Sequence, residues 1–221
     1  MSDLPQLLLG AALTLVPMIL SLSVHEFAHA WSAWKLGDDT AARHDRLNLN
    51  PLSHIDMVGT IILPLFFLLT GGSFFFGWAK PVPVDPTRFT RKITMRTGML
   101  VVAAAGPLSN LLMAILSQGA IAVAVHSGNF NAIPMPVMVL LKKMVLINYA
   151  LFLFNMIPVY PLDGQKVLSG LLSAQRAIEY ERFSARYHIP LMMGAIIFAP
   201  QILATPYGLL MHGVRAAFGL T

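Results

Sequence analysis

A chain of 221 residues with 56% hydrophobic and only 11% charged residues holds too much apolar surface for one water-soluble core, so several of its segments face lipid. The net charge of +5 is spread along the loops without the aromatic and basic interleaving of a nucleic-acid surface, and it reads instead as an orientation signal for a single-domain, multi-pass membrane protein. The absence of cysteine excludes a disulfide framework and any thiolate metal site.

Leu4 to Val24 carries no charged side chain, and the apolar run continues into S-V-H-E-F-A-H-A-W-S-A-W-K at residues 23–35. With Asp3 and no Lys or Arg before the run, and no small-residue cleavage site within it, the stretch is expected to remain as a helix from about Leu4 to Leu36, kinked at Pro17. His25 and His29 are four residues apart and stack on one helical face, with Glu26 a fraction of a turn away. Zinc-dependent hydrolases use this arrangement: two neutral imidazoles hold the ion and a carboxylate takes the proton of a water. In a water-soluble helix the same H-E-x-x-H is often two exposed histidines and a solvated glutamate. At membrane depth each ionisable side chain costs about 2.5 kcal/mol or more, so three on one turn need a common partner, and a cation is one. Trp31, Trp34 and Lys35 mark the inner interface, about 15 Å along the helix from His25.

Residues 37–57 are polar, and Arg43 to Leu49 alternates loosely enough for a short strand. Eight Lys and Arg residues between Lys35 and Arg96 place this stretch on the cytoplasmic side, which puts the N-terminus outside. Between basic flanks lies Val58 to Thr70, thirteen uncharged residues including Pro64, too short for a span of about 20 residues. It is expected to form a re-entrant or half-depth hairpin, with Phe74 to Trp78 as its return arm; the alternative is an ordinary short tilted span. Gly77 to Pro86 is too rich in proline for helix and reads as extended chain. A second long helix runs from Thr97 to Val125, carrying A-G-P-L-S-N at residues 105–110, and a third span from Lys142 to Ile157, with Lys142 and Lys143 as outer snorkelling residues. Residues 174–188 form a mixed-charge surface helix. Ile189 to Ala204 is a last apolar segment interrupted by Pro200, and Tyr207 to Leu220 is too short to cross without strain. The expected fold is an all-α polytopic membrane protein: three transmembrane helices, a half-depth segment, short cytoplasmic-side β strands and one or two C-terminal helices.

A catalytic zinc takes three protein ligands and keeps one position open. Asp163 is the best candidate for the third, because it is one of two acidic residues in or beside an apolar segment after Glu26 and lies on a turn broken by two prolines and a glycine. The other, Asp56, sits in a polar loop. Plainer readings stand beside these: an Asx turn for Asp163, a helix-to-helix hydrogen bond for Asn110, and a solvated loop position for His54, whose functional alternative is an accessory gating or second-ion role.

Three stretches, H-E-F-A-H at 25–29, G-P-L-S-N at 106–110 and N-M-I-P-V-Y-P-L-D-G at 155–164, in this order, resemble the site-2 protease family of intramembrane zinc metalloproteases. R-L-N-L-N-P-L-S-H-I-D at 46–56 and F-G-W-A-K-P-V-P-V at 76–84 are similar to its compact branch without PDZ or CBS modules. The resemblance covers residues 4–172, with C-terminal helices over 174–221. It implies a site-2-protease-like core, one Zn2+ per chain, His25, His29 and Asp163 as ligands, Glu26 as general base, and Asn110 and Asn155 as groups handling the substrate backbone or oxyanion. It also implies regulated intramembrane proteolysis in a cell membrane: hydrolysis of peptide bonds within or near transmembrane segments, on the cytoplasmic side, of a membrane-protein substrate whose helix can unwind. Strand addition at 43–49 or 79–84 would supply that unwound substrate with partners. Two rival classes remain. A metal-ion transporter predicts ionisable residues strung along several helices, and a catalytically inactive scaffold predicts the loss of Glu26.

Overall fold

The computed structural model of the chain describes residues 4–70, 77–128 and 133–220. Helix α1 (Leu4–Lys35) is unbroken through Pro17. Polar side chains along it are absorbed locally: the Thr14, Ser21 and Ser23 hydroxyls donate to the carbonyl oxygens of Gly10, Pro17 and Ile19, four residues back. At its inner end the Lys35 ammonium lies over the rings of Trp31 and Trp34.

Short helices α2 (Thr40–Arg43) and α3 (Pro51–His54) follow. Next come a π-helical stretch (Met57–Ile62), which runs directly into α4 (Leu63–Leu69). The Trp78 N–H donates to the Gly59 carbonyl at 3.2 Å, and the Lys80 N–H to that of His54 at 2.9 Å. The chain that leaves at Met57 has therefore returned to its starting level by Trp78, as a hairpin requires and a single crossing forbids. Of the expected return arm, residues 74–76 lie outside the described residues.

The short strands expected at 43–49 and 79–84 do not form; no strand occurs among the described residues. Residues 43–49 are the end of α2 and a series of turns, because side chains take the backbone groups that a ladder would need: the Asn48 amide donates to the Asp45 carbonyl, and Asn50 caps α3 through the Leu52 N–H. Residues 79–84 are extended as expected, without a ladder partner.

Helix α5 (Met95–His126) and helix α6 (Met135–Asn155) complete the membrane set. Helix α6 begins seven residues before the expected Lys142, since Pro134 and Pro136 open it instead of breaking it. Among the described residues α1, α5 and α6 are three helices long and apolar enough to cross a membrane, and the bent pair 188–197 and 199–217 makes a fourth if it is one span. The first three pack through small apolar clusters, Met18 and Leu22 against Ile147 and Leu151, and Ala114 against Val145 and Tyr149. Leu108, Leu112 and Leu116, four apart on α5, are more than half exposed and form a lipid-facing stripe.

Beyond α6 come α7 (Asp163–Leu171), α8 (Ala174–Arg186), α9 (His188–Ile197) and α10 (Ala199–Ala217). The last two are bent by 59° about Phe198, where Pro200 opens α10. Arg96, at the start of α5, donates to the Ser169 carbonyl from both Nε and a terminal nitrogen and to that of Gly170. The C-terminal end of α7 is thereby tied to the bundle.

Candidate metal centre

The His25 and His29 Nε2 atoms are 3.0 Å apart, and the Asp163 Oδ2 lies 3.2 Å from the first and 3.3 Å from the second. Nothing in local sequence brings Asp163 there. The approach depends on Gly164, where an added Cβ would lie 2.4 Å from the Met156 carbonyl oxygen and 2.5 Å from that of Ile157. Only glycine lets the start of α7 rest on the end of α6 this closely.

The proton positions on both rings follow from their other partners. His29 Nδ1 is 2.7 Å from the Val102 carbonyl, which can only accept, so Nδ1 carries the proton. His25 Nδ1 is 2.6 Å from Asn110 Oδ1. That atom is the amide oxygen because the opposite one, Nδ2, donates to the Ser21 carbonyl and to Asn148 Oδ1. Both Nε2 atoms are thus lone pairs, and they face each other and a carboxylate oxygen. Three electron-rich atoms at this spacing repel unless a cation sits among them.

A zinc ion fits. Ligands at about 2.0–2.2 Å from a tetrahedral centre lie roughly 3.3 Å from one another, and these three atoms are separated by 3.0, 3.2 and 3.3 Å. Space beside them is kept by Gly106, where a Cβ would stand 2.3 Å from His29 Nε2 and 2.7 Å from His25 Nε2. The Nδ1 hydrogen bonds to oxygen are those that orient metal-binding imidazoles.

Glu26 is buried beside this group, and its Oε2 accepts the Val82 N–H at 2.9 Å. The donor belongs to the extended strap 77–85, which is held at several points. Arg46 donates to the Lys80 carbonyl at 2.6 Å, and the Thr60 hydroxyl to that of Trp78 at 2.7 Å. The buried Asp38 accepts the Asp85 N–H at 2.7 Å. Burial pulls the Arg46 guanidinium below its ordinary value, opposed by attraction to the Glu26 carboxylate.

A cavity of about 920 Å³ joins these parts. Its walls are mostly apolar, and His25, Glu26, His29, Asn155 and Asp163 open onto it.

The structure gathers His25, Glu26, His29 and Asp163 at one point. Asn155 reaches the cavity wall, its amide donating to the Leu151 carbonyl at 3.0 Å. Asn110 does not line the cavity. It is fully buried behind His25 with its oxygen and amide nitrogen both engaged, so it is placed to orient a ring and not to meet a substrate. His54 is buried too, bonded to the Asn48 carbonyl at 2.8 Å and 3.4 Å from Arg46; it stands outside the three-residue ligand group. Lys143, expected to snorkel outward, lines the cavity instead. Sequence reading missed Asn148 and Arg46. Asn148 carried the signal that flagged Asn110, an amide within an apolar helix, whereas nothing distinguished Arg46 from other loop arginines.

This fold and site define a class, a multi-pass membrane protein with a hydrolytic metal centre. A model of Peptidase family M50 matches residues 117–199, which include Asn155 and Asp163. The "Putative zinc metalloprotease YwhC" of Bacillus subtilis is 38% identical over 160 residues, covering 71% of this chain and 68% of that protein. Rip2 proteins bearing the same designation are 34% identical over 107 residues in Mycolicibacterium smegmatis and 28% identical over 162 residues in Mycobacterium tuberculosis. These cover 48% and 72% of this chain, and 39% and 58% of their own longer sequences. No solved structure matches the chain. The chain belongs to peptidase family M50, the site-2 protease family, and is a zinc metallopeptidase of the membrane.

Proposed function

We propose that this protein is an intramembrane protease that hydrolyses peptide bonds within or near the transmembrane segments of other membrane proteins. The observation that carries this reading is the meeting of Asp163 with both histidines on an apolar cavity between membrane helices. His25, His29 and Asp163 would hold one zinc ion. When bound, the ion supplies Lewis acidity, polarising a peptide carbonyl and acidifying a nearby water.

The remaining steps belong to the chain itself. Glu26 accepts the water proton and returns it to the leaving amide nitrogen. The Val82 N–H holds one carboxylate oxygen, leaving the other for this transfer. Asn155, on the cavity wall, offers an amide N–H to the oxyanion. Asn110 fixes the His25 ring and touches no substrate. The apolar walls keep bulk water away and accept a substrate's side chains. A helical substrate must unwind to expose its carbonyls, and the strap 77–85 is an extended backbone on the cavity wall that could offer it replacement partners. By the positive-inside rule the site faces the cytoplasm.

The test is Glu26→Gln in purified, membrane-reconstituted protein. Cleavage of a transmembrane substrate is expected to fall by about 100-fold or more while zinc content per chain stays at the wild-type level. Retained hydrolysis would remove Glu26 from the mechanism. A metal transporter or an inactive scaffold would keep its activity in this variant.

A further inference from the structure

Lys143 is a half-buried lysine on α6 that lines the same cavity as the metal group. Its Nζ donates to the Thr14 hydroxyl of α1 at 2.6 Å, and that hydroxyl in turn donates to the Gly10 carbonyl. An ammonium has three hydrogens, and no carboxylate pairs with this one among the described residues. Nearby cavity walls are apolar: Met18, Leu146, Ile147, Ala150 and Leu203. The Thr14 hydroxyl takes one of the three hydrogens, which leaves the ammonium two more to offer an arriving anion.

Its depth is fixed by helix geometry. Thr14 is 20 residues before Trp34 on α1, about 30 Å along the axis and so one hydrocarbon thickness from the inner interface. Lys143 therefore stands at the outer rim of the cavity. From Thr14 to His25 is 11 residues of helix, about 16 Å, a distance that five extended residues or eleven helical ones would cover.

We propose that Lys143 is a specificity residue that receives a carboxylate of the substrate, about five to eleven residues to the outer side of the scissile bond. This rests on the protease reading above and adds the substrate's charge pattern to it. The carboxylate is either an acidic side chain or a free C-terminus.

The probes are fluorescent Leu/Ala-rich peptides of about 20 residues carrying one Glu, moved position by position, each with a Gln twin and a shortened twin that ends there in a free carboxylate. Binding is measured to reconstituted Glu26→Gln protein and cleavage by the wild type. Within the window, Glu peptides are expected to bind about tenfold more tightly than their Gln twins, with KM carrying the difference and kcat unchanged. Lys143→Gln should erase the ratio, Lys143→Arg preserve it, and Lys143→Glu reverse it toward Lys-bearing peptides. The shortened twins tell the two carboxylate sources apart. A ratio of one at every position, or a ratio untouched by Lys143→Gln, overturns the proposal, and Glu26-dependent cleavage in that case leaves the protease reading standing. Charge-selective binding without any cleavage would do the reverse.

Discussion

Behind the two histidines stands a wall of regular helix; in front of Glu26 lies a strap with no regular structure. In the wall, the amides of Asn110 and Asn148 and the Ser21 hydroxyl form a closed set of hydrogen bonds within 2.6 to 3.2 Å, buried between α1, α5 and α6. Every donor there has an acceptor inside the bundle, so the ring orientations cannot relax without leaving a buried polar group unpaired. The strap is held by backbone bonds to Gly59 and His54 at its start and beyond them by single side chains, those of Glu26, Arg46, Thr60 and Asp38. Such bonds can be exchanged one at a time for bonds to another chain. The contrast is the one the proposed function needs: a metal side held rigid and a strap whose bonds a substrate can replace.

Asp163→Asn should break the rigid half most completely. A carboxamide carries no charge to balance the cation, and zinc affinity is expected to fall by at least about 100-fold, read by metal analysis after dialysis, with hydrolysis lost in parallel. Gly106→Ala comes next: its Cβ would enter the space beside both Nε2 atoms, and zinc content should drop sharply while the helical circular-dichroism signal persists. Asn110→Ala leaves the ligands in place and frees the His25 ring, so a loss of about 10 to 100-fold in zinc affinity is expected; an unchanged affinity would show that the wall does not hold the ring.

On the replaceable half the effects should be smaller and of another kind. Arg46→Gln removes the bond to the Lys80 carbonyl and is expected to cost roughly 1–3 kcal/mol of stability, measured by thermal unfolding in detergent, with zinc content unchanged. Val82→Pro deletes a single N–H. Turnover should change by less than about tenfold at constant zinc content, and an abolished zinc site would erase the distinction between the halves.

Much of this was legible in the chain. The first two spans follow from charge-free length, the third from an apolar run whose start was set seven residues late at Lys142, and the half-depth hairpin from a run too short to cross between two basic flanks. His25, Glu26 and His29 share a face because helical periodicity puts them there. The failures have physical causes. Strands at 43–49 and 79–84 were read from alternation and proline, yet Asp38, Asn48 and Asn50 spend their side chains on nearby backbone, which leaves no ladder to form. For Asn110 the family resemblance implies a substrate role and the residue alone a helix-to-helix hydrogen bond; only the packing of α5 on α1 shows that its oxygen meets a histidine.

The sequence by itself determined which segments enter the membrane and which residue types could hold an ion, since length, charge and helical period are local properties. Tertiary structure alone decided that Asp163, 134 positions beyond His29, closes the ligand triangle, that Asn110 stands behind it, and that Lys143 faces the cavity and not the lipid. Those outcomes depend on the rotation and contact of separate helices, which the close approaches at Gly106 and Gly164 set and no local pattern encodes.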